Sequence, residues 1–368
     1  MSTPDPRSAS RDPFLDNAKY LTILLVGIGH AWAPLRDDSR TVAALYLLVY
    51  AFHMPAFSII SGYLSRSFTG RPAQIQRLVT TIVVPYLVCE VAFTLFMRLL
   101  AHPGQEFSVQ RPNFALWFLA ALFIWRLTTP LWRRLRQPVP VALAIGLLAS
   151  VTPSVGDDYN MMRVLQFLPF FVLGLHLRPQ HLERVKQYRL RAPSAAVLLA
   201  TAVFTYWLVP RMDPNWLLHT DSAAAFGVPA WAGGAMYLAL FGCSVLLTAC
   251  FLNWVPQGRH WFTALGAGTL YAYLLHTYPI KVFREFQWDD LAGMDHPLSR
   301  LAITLLAGAL MTALCTAPVR AVFRFAIEPD MSWLFRQDPR EEPSTASRDT
   351  EPGARQGPRT RRPAGASG

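Results

Sequence analysis

Three histidines of this 368-residue chain stand in runs that are otherwise almost wholly apolar. His30 closes the run that begins at Tyr20. His53 sits in Ala51-Phe52-His53-Met54-Pro55-Ala56-Phe57, and His276 follows Ala272-Tyr273-Leu274-Leu275. Imidazole is the side chain whose ordinary titration range spans neutral pH, so it suits proton transfer. An ionisable group at membrane depth is costly and marks a functional site by default. Three such placements point to one buried reaction chamber rather than three separate accidents.

Other polar residues fall at suggestive spacings around them. Asp16 reads as the N-cap of the first helix. Lys19 and His30 are eleven residues apart on one helical stripe, ~16 Å along the axis. That spacing puts Lys19 near the cytoplasmic boundary, where a snorkelling role is open to it, and His30 past the middle. Gly27, one turn below His30, leaves room for a neighbouring helix or a substrate chain. His53 and Ser61 are eight residues apart and share a side of the second segment; the Ser61-Gly62 pair either lines a ligand's path or lets helices pack closely. Arg77 suits a phosphate, because its fork can pair bidentately, or serves as topological charge. Glu90 lies thirteen residues deeper and needs a partner or a proton. Thr269, Tyr273 and His276 fall at i, i+4 and i+7, so hydroxyl, phenol and imidazole share one face. Leu116-Trp117-Phe118-Leu119 and the run from Leu168 to Gly174 are aromatic-rich and read first as packing or interfacial belts.

The elements that must position these residues are read from composition. The chain is 52% hydrophobic and 15% charged, with mean hydropathy +0.26, which is too apolar for an ordinary soluble protein. Its apolar residues gather into ten blocks, at 18–35, 42–64, 78–100, 114–132, 138–152, 163–177, 193–210, 228–252, 262–282 and 299–323. The expected fold is therefore all-α, a polytopic membrane protein of about ten transmembrane helices. With the amino terminus cytoplasmic, 25 of the 34 lysines and arginines fall inside and 9 outside, so the positive-inside bias alternates with the blocks. Both termini are then cytoplasmic in a multi-pass protein of the cell membrane. Residues 1–13 read as a disordered N-terminus and 337–368 as a disordered, basic Pro/Arg-rich tail, leaving 14–325 as the transmembrane domain.

Several classes are excluded or disfavoured. The net charge of +11 sits on the cytoplasmic face and in the tail, where it meets anionic lipid, and no basic stripe with interleaved aromatics argues for nucleic acid. Cys89, Cys243, Cys250 and Cys315 all lie in apolar blocks without metal-ligand spacing, so no metal site is expected. There is no P-loop, nucleophile elbow, zinc-protease motif or dinucleotide fingerprint.

Taken in order over residues 14–325, these pieces resemble the acyltransferase type 3 family of integral membrane O-acyltransferases, and within it the sugar O-acetylases similar to fucose O-acetylase. The matching segments are Leu15-Asp16-Asn17-Ala18-Lys19, Val26-Gly27-Ile28-Gly29-His30, Phe52-His53-Met54-Pro55, Ser61-Gly62-Tyr63, Val84-Pro85-Tyr86, Leu116-Trp117-Phe118-Leu119, Leu168-Pro169-Phe170-Phe171 with Gly174, and Leu270 to His276. The resemblance implies about ten helices, a cytoplasmic acyl-CoA donor, acetyl-CoA in this branch, and a hydroxyl acceptor on a carbohydrate or glycoconjugate. It implies no permanently bound cofactor. Many members carry arginine where Lys19 stands; lysine keeps the charge but loses the fork.

On that basis His30 is the expected general base or transient acyl carrier. Asp16, His53 and His276 are grouped with it, the two histidines as acceptor or oxyanion contacts and Asp16 at the donor mouth. Lys19, Arg77, Ser61 and Gly62 are the expected donor-binding residues, and Glu90, Tyr273 and Trp117 the expected substrate contacts. The competing class is a multi-pass transporter or flippase for a sugar-containing solute, for which midplane polar groups are equally natural. No matching pair of broken helices in two halves favours it.

Overall fold

The computed structural model describes residues 12–335 except 101, 156, 157, 289, 290 and 292. Among the described residues there are helices and turns and no strand. The helices that matter below are α1 (Pro13–Trp32), α2 (Arg40–Tyr50), α3 (His53–Leu64), α4 (Pro72–Leu100), α5 (Trp117–Leu127), α6 (Pro138–Val151), α7 (Met161–His176), α8 (Arg191–Leu208), α9 (Ala230–Trp254), α10 (Thr269–Leu275), α11 (Thr277–Glu285), α12 (Pro297–Leu314) and α13 (Ala317–Ile327). They belong to one compact unit, Met1–Asp330. A second unit, Met331–Gly368, is described only at its start, where Ser332–Leu334 forms a 3-10 turn. The expected disordered segments lie outside the described residues, apart from Asp12 and Pro13.

Those two residues correct the expected start of the first helix. The carboxylate of Asp12 accepts from the Phe14 N–H at 2.9 Å, and Pro13 takes the first helical position, where a missing N–H costs nothing. Asp16 is thus inside the first turn and not its cap.

The helices suit a membrane, but the count of ten is not reached. Among the described residues four are long and apolar enough to cross one: Arg40–Leu64, Pro72–Leu100, Ala230–Trp254 and Pro297–Leu314. A fifth appears if α7 and the helix after it, bent by 101°, are taken as one span. The reason lies in how the apolar blocks fold. Phe114–Leu127 and Pro138–Val151 are each shorter, and the latter's 14 residues cover only ~21 Å. The block at 262–282 breaks at His276 into α10 and α11, and α1 carries Asp16 and Lys19 within its length.

Prolines explain the breaks nearest the polar residues. Pro55 enters the first turn of α3 and Pro279 the first turn of α11, where they cost no helical hydrogen bond. Ahead of Pro85, α4 loosens into a π turn at Val79–Val83, with the Val84 N–H reaching the Val79 carbonyl. The hydroxyls of Thr80 and Thr81 bond the Arg77 carbonyl at 3.2 and 2.6 Å.

Helices α3 and α7 form the most extensive pair in the bundle. Gly62 on one faces the backbone of Phe171 and Leu175, and Gly174 on the other faces the backbone of Ile59. A side chain at either position would force the backbones apart. The aromatic core beside this crossing is built by Phe118, Trp125, Phe170 and Phe171, and the Trp125 indole donates to the Val164 carbonyl at 3.0 Å. Helix α12 is peripheral and is tied to α1 by Tyr20–Thr312 at 2.8 Å and Trp32–Thr304 at 2.9 Å.

Candidate active site

His30 sits in the last turn of α1, half-buried, and lines a cavity of about 250 Å³ with His53, Tyr50, Trp117, Arg163 and Tyr273. Its Nδ1 lies 3.4 Å from the Tyr50 hydroxyl, at the long limit of a hydrogen bond. Its ring is 4.9 Å from Phe114 and 5.4 Å from His276, centre to centre. Phe114 holds φ at 45°, a conformation a bulky side chain rarely adopts, and this backbone turns its ring onto His30.

The other two histidines are held alike, each at a helix break just ahead of a proline. His53 Nδ1 bonds the Val49 carbonyl at 2.8 Å, and His276 Nδ1 bonds the Ala272 carbonyl at 3.0 Å. A carbonyl only accepts, so each Nδ1 carries the hydrogen and each neutral ring keeps its lone pair on Nε2. The Nε2 of His276 is buried without a hydrogen-bond partner. His53 lines the chamber, while His276 stands behind His30 at 0% exposure. The two rings expected as oxyanion contacts therefore present acceptors, not donors, in their neutral forms.

A second cavity, about 520 Å³, is lined by Ser61, Ser65, Gln74, Arg77, Thr81 and Arg126. The Arg126 Nε donates to the Ser65 hydroxyl at 3.0 Å, and that hydroxyl donates to the Ser61 carbonyl at 2.7 Å. The π turn of α4 presents Thr81 and Ile82 to this space, and the α-helical turn before it presents Arg77. Tyr273 lines both cavities, and its hydroxyl donates to the Ala115 carbonyl. The phenol of α10 is thus a shared wall between a cationic, hydroxyl-lined space and the histidine chamber. A third cavity of about 330 Å³ reaches His30 from the side of α12; Gly27 and Met311 line it, the Met311 side chain lying against Gly27.

Among the expected site residues, the structure brings together His30, His53, Trp117 and Tyr273 at one chamber, with His276 beside it, and Ser61 and Arg77 at the other cavity. Four are elsewhere. Asp16 and Lys19 pair with each other at 2.7 Å, one turn apart, and line neither cavity. Asp16 is fourteen residues from His30, or ~21 Å along the helix, which removes it from direct chemistry there. Gly62 serves the α3–α7 crossing instead of a ligand. Glu90, fully buried, accepts from the Asn113 N–H at 3.0 Å and from the Asn113 side chain, which fastens the loop leading to Phe114.

Tyr50, Phe114, Arg126 and Arg163 escaped the sequence reading. In the sequence Arg126, inside the block at 114–132, and Arg163, at the start of the block at 163–177, show only as topological charge. Asn17 was another omission: its amide donates to the carbonyls of Pro256 and Gly258, both at 2.9 Å, and accepts from Thr263 at 2.7 Å. It ties α1 to the connection before α10.

Comparison with known proteins bears on what this arrangement does. A family model described as an acyltransferase domain matches residues 12–320. The chain is also 25% identical over 347 residues to the nodulation protein NolL of Mesorhizobium japonicum, covering 86% of this chain and 88% of that one. No solved structure matches. Because the matched segment runs from the cap of α1 into α13 and takes in all three histidines and both polar cavities, the chain belongs to the acyltransferase type 3 family of membrane acyltransferases.

Proposed function

We propose that this protein is an O-acyltransferase that moves an acyl group, acetyl by resemblance, from acyl-CoA to a hydroxyl of a carbohydrate or glycoconjugate. The observation that carries the reading is the pair of cavities sharing Tyr273 as a wall, one cationic and one lined by histidines. Arg77 and Arg126 suit the phosphates of a CoA donor, Ser61 and Ser65 its polar groups, and the acyl end reaches the chamber past Tyr273. Membership of an acyltransferase family favours the enzyme over the transporter.

In this mechanism His30 takes the proton from the acceptor hydroxyl as that oxygen attacks the thioester carbonyl. The tetrahedral intermediate collapses by breaking the carbon–sulfur bond, and the departing thiolate takes the proton back from the His30 imidazolium. The products are the acyl ester and free CoA. His53, with its Nε2 lone pair in the chamber, accepts from the acceptor sugar and orients it. Tyr50 holds the His30 ring. A transient acyl-His30 is the variant of this scheme in which the imidazole attacks first and the acceptor hydroxyl displaces it.

The same reading takes the shorter and broken helices as further crossings, about ten in all, in the cell membrane with both termini cytoplasmic. The segregation of lysine and arginine supports that orientation. It sets the Arg77 cavity towards the cytoplasm, where CoA esters are made, and the His30 end of α1 towards the outside.

The test is transfer of label from radiolabelled acetyl-CoA to total surface glycan extracted from a deletion strain, using the full chain in nanodiscs. Transfer that needs both the glycan and His30 is expected. Absence of donor consumption, or unmodified solute moving across a vesicle membrane instead, would overturn the reading.

A further inference from the structure

The chamber beside His30 holds more positive charge than acyl transfer uses. Arg36, Arg163 and Arg284 line it, and among the described residues no carboxylate lines it. Arg163 gives its Nε to the Leu218 carbonyl at 3.2 Å and lies 5.2 Å above the Trp117 ring. Among the described residues no carboxylate pairs with Arg163 or Arg284. Asp221, whose carboxylate accepts from the Thr220 hydroxyl at 2.6 Å, acts on Arg163 from beyond ion-pair distance and offsets at most one of the three guanidinium charges. Glu285, next to Arg284, is taken by His102 at 3.0 Å. Arg36 has Asp37 at 3.6 Å, a residue 83% exposed, and the Nε of Arg36 is buried without a hydrogen-bond partner.

Guanidinium groups gathered around one partly desolvated space repel one another and lose hydration, a cost that persists only where something negative offsets it. Topology does not explain them either. The outside segments hold 9 lysines and arginines in all, against the bias that keeps cations inside, and three of those line this single cavity.

We infer that the acceptor carries an anionic oxygen group, a carboxylate or a phosphate, which Arg163 and Arg36 grip while a neighbouring hydroxyl faces His30. Arg284, exposed at the rim, draws the anion in. The planar fork of arginine fits carboxylate and phosphate alike. The anion site stands on the chamber itself; only the hydroxyl beside it rests on the acyltransferase reading.

The experiment measures thermal stabilisation of the full chain in nanodiscs by three probes: methyl glucuronide, a glycosyl phosphate and neutral methyl glucoside. All are run in an Arg77→Gln background so that the donor cavity contributes little. At least one charged probe is expected to bind about tenfold or more tightly than the neutral one. Arg163→Gln should remove that preference, and Arg36→Gln should weaken it; the second variant guards against misfolding of the first. The two charged probes separate a uronate-like from a phosphate-like acceptor. Equal binding of all three, binding of none, or a charge preference that survives both substitutions would overturn the inference. Charge-selective binding without acetyl transfer would instead leave the anion site standing and sink the proposed reaction.

Discussion

Replacing His30 by glutamine should separate chemistry from folding. The polar link that His30 makes is the 3.4 Å contact with Tyr50, longer than a good hydrogen bond, and the ring is half-buried beside open cavity. Its loss should cost less than about 1 kcal/mol of stability. Loss of a general base, by contrast, slows proton transfer about a hundredfold to ten-thousandfold, or ~2.7–5.5 kcal/mol of barrier. His276→Gln supplies the contrast. That ring is 0% exposed and holds the Ala272 carbonyl at 3.0 Å, so its removal should cost about 1–3 kcal/mol of stability along with activity. Both variants are read by thermal unfolding in nanodiscs and by single-turnover transfer from saturating labelled acetyl-CoA. Transfer by His30→Gln within about threefold of wild type, under ~0.7 kcal/mol of barrier, would remove His30 from the mechanism. So would a fall in transfer that merely tracks loss of folded protein.

Arg77→Gln should raise the donor KM about tenfold or more with kcat nearly kept, and an unchanged KM in a donor titration would return Arg77 to topology. Gly62→Ala should lower the unfolding temperature, because its new Cβ meets backbone of Phe171 and Leu175, at a cost of about 1–3 kcal/mol. Gly242→Ala, in α9 with nothing within 4 Å, should be neutral or stabilising by up to ~1 kcal/mol; a Gly62→Ala protein that is equally stable but binds donor poorly would restore Gly62 to the ligand site. Glu90→Gln turns an amide donor towards the Asn113 amide and should speed hydrogen exchange at the Asn113 N–H, about 1–3 kcal/mol of lost protection. Unchanged exchange together with a raised acceptor KM would mean that Glu90 touches substrate.

What could be read from the chain was the chemistry that membrane burial makes expensive. His30, His53 and His276 stood out because each is an ionisable group in an apolar run, and the fold brings His30 and His53 to one chamber with His276 beside it. Tyr273 and Arg77 were readable from spacing for the same reason. The all-α membrane class followed from composition; among the described residues four or five helices are long and apolar enough to cross by themselves, because breaks such as the one at His276 divide apolar blocks that hydropathy alone runs together. Asp16 misled because Asp12 does the capping, four residues earlier. Tyr50, Phe114 and Arg163 were hidden for a different reason: they meet His30's chamber through contacts 20 or more residues distant in sequence, which no local pattern encodes. Gly62 was ambiguous because a glycine beside a cavity and a glycine at a helix crossing look alike until the partner backbone is known.

The three imidazoles are not equivalent, and the difference follows from the helix breaks. A proline three positions into a helix leaves the preceding turn distorted, and at both His53 and His276 the imidazole Nδ1 closes that turn onto a carbonyl four residues back. This fixes each ring and its tautomer, so neither is free to trade a proton through Nδ1. His30 sits in an unbroken helix and has no such carbonyl partner; its Nδ1 meets a hydroxyl that can donate or accept. A base must change protonation state twice in each cycle without losing its place. Of the three rings, His30 is the half-buried one and opens onto two cavities where a substrate hydroxyl can reach it, while His53 and His276, 2% and 0% exposed, keep the chamber's shape around it.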